Sequence, residues 1–203
     1  MNNNLIITIG REYGTGGREI GQKLALRLGI PFYDRELITR AAKKTGFDEK
    51  LFEQLDKRAT NSFLYSLTMF GSVGLNGMSL TDQLYLAQAN IIREMAEDSS
   101  CVIVGRCADH VLRDFPNKFD FFIHGSIEDR VKRIQTCGDY EIEGKTPEAA
   151  LEKMDKQRST YYNYYTGKVW GKCDHYDLCN NAGRLGVEYS TDIILEYVNR
   201  LKK

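Results

Sequence analysis

Residues 10–21 read Gly-Arg-Glu-Tyr-Gly-Thr-Gly-Gly-Arg-Glu-Ile-Gly and follow directly on the run Leu5-Ile6-Ile7-Thr8-Ile9. That run is apolar and β-branched without alternation, the pattern of a strand buried on both faces. Downstream, Ile20, Leu24, Ala25 and Leu28 recur at helical spacing over residues 17–28. Gly29 is placed to end that helix, with Pro31 close behind. A strand, a glycine-rich loop and a helix therefore succeed one another with no intervening residues. This order decides the fold, because a buried strand that feeds a helix at once is the opening unit of a parallel α/β sheet.

Two loop motifs are candidates at this junction. A dinucleotide fingerprint, G-x-G-x-x-G, starts well at Gly14-Thr15-Gly16 and finds Asp34 near the distance of its ribose-binding acid. Its third glycine position, however, holds Glu19. The phosphate-binding loop G-x-x-x-x-G-K-[ST] fares differently. With Gly16 at its second glycine, Arg11 stands at the first, Gly17 at the lysine, and Arg18 and Glu19 at the next two positions. Only the backbone part of the motif survives. Gly14, Gly16 and Gly17 permit positive φ and close approach of an anion, and Arg18 offers a cation in place of the lysine. The local sequence leaves two readings open: a phosphate cradle of backbone amides, or a plain tight turn between strand and helix.

The remaining pattern extends the α/β alternation. Residues 30–33 read as a short strand, 35–44 as a helix, 81–97 as a helix with Leu84, Ala87, Ile91 and Met95 on one face, and 101–104 as an apolar strand ending in Gly105-Arg106. Residues 119–123 form a further strand, followed by a helix that Ser126 caps with early acids. A polar helix over 146–161 starts at Thr146-Pro147-Glu148. A last strand over 176–180 and a closing helix over 190–201 complete the series. The expectation is a three-layer, doubly wound parallel sheet of about five strands, in one domain over 1–203. The 203 residues suffice to bury roughly 70% of the unfolded surface.

Composition narrows the partners. The 28 basic and 28 acidic residues cancel, which disfavours a nucleic-acid partner. No window approaches the roughly 20 apolar residues of a membrane span, and the first ten residues lack the basic and apolar regions of a secretory signal. The five cysteines form no CxxC pair and are odd in number, so they read as reduced thiols of a cytoplasmic protein.

Phe32-Tyr33-Asp34, then Arg40, then Val104-Gly105-Arg106 at a strand end, then Ser126-Ile127-Glu128-Asp129-Arg130-Val131-Lys132-Arg133-Ile134 after the next strand, together resemble the ordered signature of the nucleoside monophosphate kinases. More narrowly, the chain is similar to the cytidylate kinase-like family, over residues 6 to about 194, with the weakest likeness at 48–80. The resemblance implies a P-loop fold and transfer of the terminal phosphoryl group of ATP, with Mg, to a cytidine or deoxycytidine monophosphate. It puts the donor phosphates on Gly14, Thr15, Gly16, Gly17, Arg18 and Glu19, and the acceptor near Asp34, Arg40 and Arg106. It implies a lid over 140–172, in which Asp155 and Arg158 match the family's lid aspartate and last arginine, and an acceptor-side insertion over 48–80. Arg18, Asp155 and Arg158 are thus the candidate catalytic residues.

The chain departs from that pattern in four places. The lysine is absent, the earlier lid arginine is Leu151, the late loop hydroxyl is Glu19, and the aspartate before Gly105 is Val104. The metal ligands are unassigned, Glu19, Asp34 and Asp109 being the carboxylates on offer. These departures keep a non-catalytic nucleotide-binding sensor or partner module as an alternative, and a kinase for a different small acceptor as another. Tyr161, Tyr162, Tyr164, Tyr165 and Trp170 read as a packed or boundary cluster. His110 and His175 have no partner at recognisable spacing. The Gly, Ser and Met-rich segment around 70–78 is placed either over an acceptor or against a second subunit of a homo-oligomer.

Overall fold

The strand–loop–helix unit at the N-terminus forms as its pattern predicts. The computed structural model describes residues 3–34, 79–137, 140 and 146–201. The expected helix at 35–44, Arg40 and nearly all of the 48–80 insertion lie outside the described residues. Strand β1 (Ile6–Arg11) is followed by helix α1 (Gly17–Leu28), and Gly29 closes the helix at φ 65°, its N–H and that of Ile30 returning to Leu26 and Ala25 carbonyls. Then come β2 (Phe32–Tyr33), α2 (Leu80–Asp98), β3 (Cys101–Val104), α3 (Ala108–Val111), β4 (Lys118–His124), α4 (Ile127–Thr136), α5 (Pro147–Thr166), β5 (Leu178–Asn181) and α6 (Ala182–Leu201).

All five strands are parallel, in the order β2-β3-β1-β4-β5. β1 sits at the centre, with Ile6 opposite Cys101 of β3 on one side and Lys118 of β4 on the other. The chain therefore passes from β1 to the edge at β2, returns to β3 beside β1, and then crosses to β4 and β5 on the other side. The switch lies at β1, and in open α/β sheets the crevice outside the carboxyl ends of the strands at such a point is the ligand site.

Alternate residues of β1 serve opposite faces. Ile7 and Ile9 join Val102, Val104, Phe121 and Ile123 in a layer covered by Ile20, Leu24 and Ala25 of α1 and Ile194 and Val198 of α6. Ile6, Cys101 and Ile103 face Ala89, Ile92 and Ala96 of α2 and Val111 of α3. Helices thus cover both sheet faces. The α2 face agrees with the pattern reading in part: Leu84 and Ile91 are buried as expected, Gln88, Ala89, Ile92 and Ala96 are buried beside them, and Ala87 and Met95 are only half-buried. Two polar residues, Thr81 and Gln88, occupy the inward stripe, so apolar periodicity alone places only part of it. The final helix starts earlier than expected because its first turn runs straight off β5 and is broken at Gly186 (φ 73°, ψ 169°) before continuing. No described helix is long and apolar enough to cross a membrane.

Candidate functional site

The loop between β1 and α1 is only five residues long and is held by glycine geometry. Gly14 and Gly16 both take φ 79°, the left-handed region that a Cβ disfavours. Gly17 departs from the sequence reading, being the first residue of α1 with helical backbone; its side chain is excluded because a Cβ there would lie 2.7 Å from Arg11 Cβ. The first intrahelical bond from this turn is Ile20 N–H to Gly16 O. By helix geometry the preceding N–H groups have no acceptor within the helix, and with the dipole they make an anion-favouring terminus.

The loop is clamped from above by α5 and α4. Asp155 Oδ1 accepts the Tyr13 N–H at 2.6 Å, while Asp155 Oδ2 accepts from Arg130 Nη1 at 2.5 Å. Arg130, with its side chain only 9% exposed, also donates to Tyr13 O and lies 3.6 Å from Glu12 Oε2. Arg158 Nη1 donates to Arg11 O at 3.1 Å and stacks its guanidinium over the Tyr13 ring. Beneath them Leu151, Ile134 and Tyr13 form a buried apolar cluster. Leu151, which stands where the family pattern has an arginine, is therefore core: it is 1% exposed and within 3.1 Å of where a Gly14 Cβ would lie.

The charged residues expected on the donor are partnered within the protein. Arg18 Nε donates to Asp34 Oδ2 at 2.7 Å, so the donor-side cation and the acceptor-side carboxylate meet one another. Glu19 pairs with Arg133 Nη2 at 2.5 Å and approaches Lys23. Arg130 and Arg133 were missed in the sequence, although their spacing of three on a capped helix after β4 puts both on one face toward the loop. Among the described residues no cluster of three or more His, Cys, Asp or Glu side chains could hold a metal ion. Magnesium that arrives on nucleotide phosphates needs only one or two carboxylates; of the three that the sequence offers, Glu19 and Asp34 lie beside the loop, each paired with an arginine, and Asp109 lines a cavity at the strand ends.

At the carboxyl ends of β1 and β3 lies a cavity of about 360 Å³, lined among others by Arg11, Arg106, Arg158, Asp109, Gln157 and Tyr162. Gly105 (φ 84°) and Arg106 (φ 55°) turn the chain sharply after β3, and a Cβ at Gly105 would overlap the Arg11 guanidinium. Arg106, 9% exposed, lies over the Tyr161 ring with 5.6 Å between guanidinium carbon and centroid. Among the described residues, three cationic side chains thus share one small cavity with a single carboxylate, Asp109. Tyr162 Oη donates to Asp109 Oδ2 at 2.6 Å, and Tyr176 hydrogen-bonds to Tyr162. Burial, and next the Asp109 charge, push both phenols well above their ordinary range, so they remain donors at neutral pH. The aromatic cluster read as packing does pack: Tyr161, Tyr162 and Cys107 are buried with Tyr85, Tyr165 and Trp170 against them. It also supplies cavity wall.

A central parallel strand, a glycine turn opening a helix and a cationic cavity at the switch point together define a P-loop kinase-type fold. Shikimate kinase from Bacteroides thetaiotaomicron shares that fold, with 14% identity, a TM-score of 0.57, and 96% of this chain and 98% of the other covered. So does a gluconokinase from Sinorhizobium meliloti, with 14% identity, a TM-score of 0.53, and 100% and 95% covered. An uncharacterized protein from Eubacterium ventriosum is more alike, at 31% identity and TM-score 0.71, with 97% of this chain and 99% of that one covered. No curated protein matches significantly. The profile of the cytidylate kinase-like family matches residues 6–184, and the chain belongs to that family.

Proposed function

We propose that the protein transfers the terminal phosphoryl group of ATP to a small anionic acceptor, a cytidine or deoxycytidine monophosphate before others. The observation that carries this reading is the juxtaposition of the Gly14–Gly16 turn at the start of α1 with the cavity walled by Arg11, Arg106 and Arg158. The backbone of Gly14, Thr15, Gly16, Gly17, Arg18 and Glu19 would hold the donor phosphates, and Arg106, with Asp34 and Arg40, the acceptor. Arg158 is the guanidinium that links loop and cavity, lining the cavity while holding the Arg11 carbonyl. It is suited to offset charge that develops on the transferring group, and Arg18 adds a cation beside the loop. Asp155 acts through the loop, whose Tyr13 amide and Arg130 it holds, so its part is positioning. Catalysis would rest on alignment and charge neutralisation with no covalent enzyme intermediate. Magnesium on the donor would supply further charge neutralisation.

A second reading, a nucleotide-binding sensor, is favoured by one observation. The lysine position is Gly17, and the neighbouring cation Arg18 is engaged by Asp34. The test is nucleoside-diphosphate release with ATP and magnesium across CMP, dCMP, UMP, AMP and GMP, for wild type, Arg18→Ala and Arg106→Ala. Turnover of one acceptor that both substitutions abolish supports the kinase. Absence of turnover, with ATP or CMP still raising the melting temperature, sinks it in favour of the sensor.

A further inference from the structure

We propose that Asp109 is the residue that selects the acceptor, by accepting a hydrogen bond from an amino group on the end of the molecule remote from its phosphate. The inference rests on the acceptor reading above and deepens it. Among the described residues, the cavity is lined by three arginines and one carboxylate. Its arginines satisfy the anionic end of an acceptor, and a carboxylate near that end would repel it, so Asp109 has to meet a different part of the ligand. An ionised carboxylate can only accept hydrogen bonds.

Asp109 is also built to be held still. It lies in the first turn after the left-handed Arg106-Cys107 corner, and its Oδ2 is fixed by Tyr162, which Tyr176 supports in turn. Tyr162 is 5% exposed and its ring is packed with Cys107 and Tyr161, so the phenol cannot swing away without opening that cluster. Among the described residues no donor engages Asp109 Oδ1. A rigid carboxylate with one oxygen fixed and one presented to a cavity is a recognition element, because a ligand lacking the donor leaves the carboxylate desolvated and unpaired. Cytosine and uracil differ in this respect: one carries an exocyclic amino group where the other carries a carbonyl oxygen, which the carboxylate repels.

The test is calorimetric titration of the full chain with CMP and with UMP, without ATP or magnesium, so that neither turnover nor metal binding enters the signal. Wild type is expected to prefer CMP by about tenfold or more, the worth of a hydrogen bond to a charged group. Asp109→Asn, whose amide can also donate to a carbonyl, is expected to bring the two affinities within about threefold of each other, whereas Tyr162→Phe, which keeps the carboxylate, retains the preference. Equal wild-type affinities, or a preference that survives Asp109→Asn, overturn the assignment while leaving the nucleotide reading intact; the wild-type arm decides this even if the variant does not fold. If Asp109 only pins α5 to α3, Asp109→Asn and Tyr162→Phe lower the melting temperature alike and leave the CMP preference unchanged, which also overturns it. Failure of either nucleotide to bind at millimolar concentration defeats the acceptor reading and the assignment with it.

Discussion

Replacing Asp155 by alanine probes the join between the loop and the helix above it. Its carboxylate, on a side chain 18% exposed, bridges the Tyr13 amide and the Arg130 guanidinium, and Arg130 is 9% exposed. Truncation leaves the Arg130 charge in place, with Glu12 at 3.6 Å as its remaining acid partner among the described residues. Removing one partner of a buried pair costs about 3–5 kcal/mol because the other charge is stranded. Taking the low end, since Glu12 remains, gives a loss of about 3 kcal/mol, or about 6–12 °C in Tm for a chain of this length. Urea unfolding of wild type, Asp155→Ala, Arg130→Met and the double variant reads the quantity directly. The coupling between the two sites is expected to exceed about 1 kcal/mol, as for residues in direct contact. Asp155→Ala unfolding within about 0.5 kcal/mol of wild type, the ordinary range for surface substitutions, would refute the clamp.

Two further outcomes follow from named residues. Gly16→Ala places a Cβ at φ 79° and 2.8 Å from Val187 Cγ2, so it is expected to abolish the ATP-dependent rise in Tm; Gly29→Ala, at φ 65° with nothing within 4 Å, carries similar backbone strain and should leave that rise intact. Equal ATP responses in the two variants would remove the loop from the donor site. Burial, and then the Arg113 charge, hold the His110 imidazole below its ordinary 6.5, so the folded chain binds fewer protons than the unfolded one. Stability therefore rises with pH across the window from the lowered value up to about 6.5 and is lost as pH falls through it. His110→Gln should flatten that loss in urea midpoints taken across the window, and an unchanged slope would show that other groups cause it.

The sequence by itself determined the elements that local chemistry fixes. Consecutive β-branched residues made β1, helical spacing with Gly29 made α1, and Ser126 and Thr146 capped α4 and α5 by accepting from Asp129 and Ala149 amides. The glycine turn was legible for the same reason, since positive φ is a property of single residues. The order of the strands was not, because pairing depends on which edges meet across long loops. Nor was the partnership of charges. Arg18 and Asp34 looked like donor and acceptor groups along the chain, yet folding joins them at 2.7 Å. Leu151 looked like a missing lid arginine, whereas tertiary packing makes it a core residue above Gly14. Asp155 looked like a residue aimed at substrate, whereas the loop amide and Arg130 claim both of its oxygens. A side chain's local sequence fixes its charge and its helix face, but the groups that engage it come from other elements, 16 residues away for Arg18 and Asp34, 114 for Glu19 and Arg133 and 142 for Tyr13 and Asp155, and only the folded sheet brings them within reach.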